Sequence, residues 1–193
     1  MAQIFGDFIE DLPAGDEYLM IGFCPGSLSL QKRWRNNGLS ADFLADYLIT
    51  FFPGDEDHLN PVSRRAEIKG AVSYIANELL ENAMKFNDET SQFGISIQLQ
   101  LHPNKLIFLA TNSVNPVAVK HFQTIIQELI TGNPEEMYVQ RLEENAADAT
   151  LKTSGLGFLT MISDYVAKLG WKFEPLPEQP EIITVTTMVQ LSI

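Results

Sequence analysis

Between residues 64 and 86 the apolar side chains return at steps of four, three, four and four: Ile68, Val72, Ile75, Leu79 and Ala83. That spacing predicts a helix that buries one face. Over residues 93–101 the period changes to two. Phe93, Ile95, Ile97, Leu99 and Leu101 alternate with Gly94, Ser96, Gln98 and Gln100, which predicts a strand with one buried and one polar face. His102, Pro103, Asn104 and Lys105 make a turn, and residues 106–110 the second strand of a hairpin. Before them, residues 18–24 are an apolar run closed by Pro25 and Gly26, a strand with Cys24 expected as a small buried residue at its end. Residues 39–52 predict a helix with Ser40 as N-cap, stopped before Pro53 and Gly54, and residues 54–61 a polar loop.

The second half carries weaker signals. Residues 117–130 predict a helix stopped by Gly132 and Pro134, and residues 134–149 are acidic and helix-compatible. A loop of small residues over 152–157 runs into a helix from 156 to about 168. Residues 171–174 predict a strand, Pro175, Pro177 and Pro180 a turn, and Ile183, Val185, Val189, Leu191 and Ile193 alternate along a last strand. The order is that of an α/β chain, a two-layer α/β sandwich with a mixed or antiparallel sheet and helices on one face.

A length of 193 residues suits one domain. The net charge of -12 argues against nucleic acid or an anionic membrane as partner. The single cysteine excludes an internal disulfide, and no Cys/His spacing suggests zinc. The acidic start lacks the features of a secretory signal, and no apolar run approaches the roughly 20 residues that span a bilayer, so the expected location is cytoplasmic.

Two short segments hold candidate chemistry. In residues 78–85 the side chains of Glu78, Asn82 and Lys85 point within about 60° of one another on a helix, at the rim of its apolar stripe. A carboxylate and an amide there can hold Mg²⁺ and orient water or a hydroxyl, and the same spacing also suits a solvated helix flank. In residues 152–158 the run Lys152, Thr153, Ser154, Gly155, Leu156, Gly157, Phe158 opens a helix. Bare glycine backbone and unpaired N–H groups at a helix start make a phosphate site, and the same run also suits a plain helix cap.

Residues 78–86 and the Gly155, Leu156, Gly157, Phe158, Leu159 turn resemble the N-box and second glycine box of the GHKL superfamily of ATPases and kinases. That superfamily includes gyrase, histidine kinases, mismatch-repair ATPases and anti-sigma-factor kinases. The resemblance spans about residues 66–193 and implies a Bergerat-like sandwich binding ATP with Mg²⁺. It also implies that residues 66–193 are the core, with residues 1–62 as an N-terminal extension packed on it. It implies Glu78 as general base and Asn82 as Mg²⁺ ligand, with Lys85 beside them. Gly155, Leu156, Gly157 and Phe158 become the phosphate turn, and Lys152 and Ser154 the end of a lid. The superfamily's first glycine box carries an Asp for the adenine amino group. Here that place reads Ala110, Thr111, Asn112, Ser113, Val114, Asn115, Pro116, and only Thr111 or Asn112 is left to meet a base.

Stand-alone bacterial regulators of the anti-sigma kinase type are the nearest parallel, which implies an adenine nucleotide, a partner signalling protein and a possible homodimer. Two alternatives use the same pattern. One is an FAD-binding light or redox sensor, its ring among Phe108, Phe158, Met161, Tyr165 and Trp171, with Tyr165 or Trp171 as electron donor. The other is a ligand-free interaction module.

Overall fold

A computed structural model of the chain describes residues 1–13, 15, 17–24, 36–52, 61–147 and 156–193. The elements follow in the order β1 (Gln3–Gly6), β2 (Glu17–Phe23), α1 (Asn37–Ile49), α2 (Pro61–Lys85), β3 (Ile95–His102), β4 (Lys105–Val114), α3 (Pro116–Thr131), α4 (Pro134–Ala147), α5 (Leu156–Ser163), β5 (Lys168–Pro175) and β6 (Ile183–Ser192). The described strands form one sheet in the order β1-β5-β6-β4-β3-β2. Each pairing in it is antiparallel. Helices α2 and α5 pack on one face, giving a two-layer α/β sandwich.

The alternation seen in the sequence sets which face each strand buries. Ile97, Leu99, Leu106, Phe108, Val185, Val189, Leu169 and Phe173 turn toward the helices and are buried. Ile68, Val72, Ile75 and Leu79 of α2 meet them from above. Each such side chain contributes about 1.5–3 kcal/mol by leaving water, so the stripe on α2 dominates the helix's own weak tendency to form.

Helix α2 is also held from the side. Going up α1 one turn at a time, Ile49 O accepts from Arg65, Asp46 pairs with Lys69, and Asp42 accepts from Ser73 Oγ at 2.6 Å. The two helices therefore run antiparallel, with Ala41, Leu44, Ala45 and Leu48 closed between them. Helix α1 begins at Asn37, so Ser40 lies inside its first turn and not at the N-cap. Asn37 is already 1% exposed, and packing sets this start, because no side chain caps it.

Other boundaries move for equally local reasons. Strand β4 runs on to Val114, because residues 111–114 pair with residues 183–186 of β6. Helix α5 stops at Ser163, five residues short of the expected end. Ala167 N–H turns back to Met161 O at 2.9 Å over Val166, whose φ of 51° no helix can contain. Cys24 is exposed, since β2 is an edge strand that leaves its end uncovered. Strand β1 carries no apolar alternation and is legible only in its pairing with β5.

β1 and β2 lie at opposite edges of the sheet, so the chain between them crosses the face that the helices leave open. The crossing is tight. Asp7 N–H donates to Leu169 O at 2.8 Å, and Gln190 Nε2 donates to Asp7 O at 2.7 Å. A Cβ on Gly170 would lie 2.3 Å from Phe8 N, and one on Gly15 would lie 2.8 Å from Leu101 O. This strap explains why Ile107 and Met188, which point away from the helices, are nonetheless buried.

Gly170→Ala drives a methyl into the strap's backbone. The expected cost is about 1–3 kcal/mol of unfolding free energy, read from urea denaturation. Wild-type stability in that variant would mean that the strap is not packed where Gly170 meets it.

Candidate functional site

α2 presents a third flank, opposite α1, and α5 packs there. The contact closest to the chemistry is between Glu78 and Gly157. A Cβ built on Gly157 would lie inside the Glu78 carboxyl group, 2.8 Å from its Cδ. With glycine at 157 the carboxylate can rest directly against the first turn of α5, and a Cβ there would make it shift. The two segments singled out in the sequence therefore come together, one from the middle of the chain and one from its last quarter.

Burial raises the pKa of Glu78 first, and the nearby Glu81 raises it further. One turn earlier, Tyr74 stacks on Tyr165 with ring centroids 5.3 Å apart. Burial also raises the Tyr74 pKa, while a hydrogen bond with Thr160 of α5 lowers it and the Glu78 charge raises it. Glu78 thus sits in a half-dry niche between two helices, rimmed by tyrosine.

One turn further along α2, Asn82 opens onto a narrow cleft between α2 and the sheet. The lining includes Leu79, Asn82, Ala83, Phe86, Ala110 and Asn112, with Phe122, Phe158 and Thr187 closing it. Asn112 and Thr187 enter it from β4 and β6, at positions where the alternation calls for apolar residues. Asn112 is pinned: its Nδ2 donates to Ser113 O at 2.8 Å. Asn87 Oδ1 in turn accepts from Ser113 Oγ at 3.0 Å, tying the end of α2 to the end of β4. With Nδ2 committed, the Asn112 Oδ1 is the acceptor left for a ligand.

The other expected residues divide. Phe158 lines the cleft and meets Trp171 edge-to-face at 5.5 Å. Leu156 begins α5. Lys85 is exposed, its Nζ 5.4 Å from the centre of the Phe86 ring. Thr111 is turned to the other face of the sheet, where its hydroxyl bonds Thr186 at 3.0 Å, so alternation keeps it out of the cleft that its neighbour Asn112 enters. Lys152, Ser154 and Gly155 lie outside the described residues, as does Thr153. On α4, Glu135, Glu136 and Glu143 are exposed while Met137 and Tyr138 turn inward. Among the described residues no group of three His, Cys, Asp or Glu side chains could hold a metal, and no helix is long and apolar enough to cross a membrane.

Thr187, Phe86 and Phe122 were not foreseen. Thr187 had a signal: it interrupts the apolar register of Val185, Val189 and Leu191, as Asn112 interrupts that of Phe108, Ala110 and Val114. A polar residue at a core-facing strand position is a hint that something polar is met there. The two phenylalanines had none, because only the fold brings α3 over the end of α2.

No protein-family model matches the chain, and no curated protein matches it. Among solved structures it is similar to a chain of the crystal structure of the SiaB-SiaC complex from Pseudomonas aeruginosa. The two share 15% identity over 91% of this chain and 89% of that one, with a TM-score of 0.52. The likeness is one of fold.

Two variants test the niche. Gly157→Ala pushes the Glu78 carboxyl, the end of a flexible side chain, toward water, so stability at neutral pH should change by less than about 1 kcal/mol while the dependence of Tm on pH flattens. Glu78→Gln tests its titration. A carboxyl group whose pKa is raised on folding adds stability that is fully present below its unfolded pKa, near 4.3, and is lost as pH rises through the folded value. The Gln variant should therefore show a flatter Tm-versus-pH curve above about pH 4.3 and be the more stable protein at neutral pH. Parallel curves for the two proteins would place Glu78 in open water.

Proposed function

We propose that this chain is a regulatory protein of the GHKL type that binds an adenine nucleotide in the cleft beneath α2 and acts together with a partner protein. The reading rests on one observation above all: Glu78 lies against Gly157, while Asn82, one turn along, shares a cleft with Asn112 and Thr187. Two motifs distant in sequence meet at one place, as the resemblance requires. The fold-level likeness to a chain from a complex of two proteins supports the second half of the proposal.

In this reading the base enters beside Asn112 and Thr187 and the phosphates extend toward the start of α5. Asn112 Oδ1 accepts from the exocyclic amino group, the task an Asp performs elsewhere in the superfamily, at the lower strength of a neutral acceptor. Among the described residues Asn82 has no side-chain hydrogen bond that would hold it back, and its oxygen suits Mg²⁺, a hard cation that keeps most of its ligands as water and phosphate. Bound there, the metal would neutralise charge on the phosphates. Glu78, dry enough to hold its proton more tightly than a surface carboxylate, is matched to accept one from a partner's hydroxyl. The half-buried niche keeps bulk water from competing for that proton.

A second reading places FAD in the same cleft. It draws on Phe158 and Trp171, and on the Trp171 indole N–H, which is buried without a partner. A planar ligand with an acceptor on its edge would satisfy that donor.

Thermal denaturation with ATP and Mg²⁺, and separately with FAD, decides between these readings. Saturating nucleotide at 100 times its Kd stabilises by about 2.7 kcal/mol, a shift of several degrees. Asn82→Ala should abolish most of the Mg²⁺-dependent part of the shift for ATP. A yellow purified protein favours the flavin, and no shift with either ligand overturns the proposal.

A further inference from the structure

As packed, the cleft has a free volume of only about 10 Å³, room for about one water and no base. Three phenylalanines take up the space. Phe86 and Phe122 stack, with centroids 5.7 Å apart and an angle of 22° between the rings, and Phe122 meets Phe173 edge-on. Phe158 closes the far side against Trp171. Their anchorage is unequal. Phe158 is buried on the core side of α5, and Phe86 directly follows α2. Phe122 is carried by α3, whose fully buried residues, Ile126 and Leu129, lie in its C-terminal half. The half that carries Phe122 rests on Val119 and Phe122, each only partly buried. It starts at an exposed cap, where Asn115 Oδ1 accepts from Val117 N–H at 3.0 Å.

From this packing we infer that Phe122 is an internal occupant of the ligand's ring site. The first turns of α3 swing out and a planar heteroaromatic ring takes the place of the Phe122 side chain, stacked on Phe86 with its polar edge toward Asn82, Asn112 and Thr187. The inference rests on the proposed nucleotide reading and adds to it the chemistry of selection. The slot is filled by a flat aromatic surface, so it admits a flat aromatic ligand, and stacking on Phe86 offsets the missing carboxylate. It also adds regulation. Closed and open forms are in equilibrium, and the apparent affinity is the intrinsic one reduced by the open fraction. A partner that draws α3 outward raises nucleotide affinity without touching the nucleotide.

The test compares wild type with Phe122→Ala for binding of ATP with Mg²⁺ and of FMN, by calorimetry. Removing the plug should tighten whichever ligand binds by about tenfold or more, the factor expected if the open form is a tenth or less of the population. ATP tightening identifies adenine as the ring, and FMN tightening the isoalloxazine. Leu48→Ala loosens the packing between α1 and α2, away from α3 and the cleft, and should leave affinity within about twofold of wild type, so equal tightening by both variants would mean general loosening and overturn the inference. Phe86→Leu in the Phe122→Ala background should lose most of the gain, because the stacking surface is gone. Unchanged or weaker binding by Phe122→Ala also overturns it. Should no nucleotide bind either protein, the proposed function falls, and indole then judges the slot. An indole-dependent rise in Tm confined to Phe122→Ala upholds it, and no rise refutes it.

Discussion

Helix α2 is gripped on three sides, and the arrangement of everything else follows from that grip. The sheet takes its apolar stripe, α1 runs antiparallel along one flank through Arg65, Lys69 and Ser73, and α5 closes the other at Glu78. A helix so enclosed has few freedoms left. Its rotation is fixed by the stripe, which in turn fixes that Glu78 faces α5 and that Asn82 faces the cleft. The candidate chemistry is thus an outcome of core packing, since the polar residues stand at the edge of the buried stripe where two layers meet. Gly157 completes the arrangement by leaving out a side chain.

The long periodic segments were legible because one term dominates them. Five apolar residues in helical register on α2, and strict alternation on β3, leave a single way to bury each face. Pairing across the sheet then carried β4 four residues beyond residue 110, where the expected strand ended, because its ladder of hydrogen bonds with β6 continues to Val114. Strand β1 is short and mostly exposed, and long-range pairing alone makes it a strand. The end of α5 was misplaced since nothing between Ser163 and Lys168 resembles a helix stop; Val166 adopts a left-handed backbone that its branched side chain disfavours.

For the candidate site, the sequence supplied the two poles and missed the middle. Glu78, Asn82 and Gly157 were visible as motif residues, and Asn112 as the residue standing where a carboxylate is expected. Thr111 and Asn112 were indistinguishable in sequence, and the pleat separates them: one reaches the cleft, the other Thr186 on the opposite face. The aromatic closure by Phe86 and Phe122 lies between residues 36 apart on elements joined by a hairpin, and no local pattern encodes such a meeting.

The two edges of the sheet come from one short N-terminal stretch, and this orders the events of folding. β1 finds its place only beside β5, with Gln3 opposite Phe173. During synthesis the first strand is made long before its neighbour exists, so it must wait, unpaired, until most of the chain has been translated. Contacts so far apart in sequence slow the final assembly. Because Asp7 and Phe8 rest on Leu169 and Gly170, the strap can reach its place only once β5 lies beneath it.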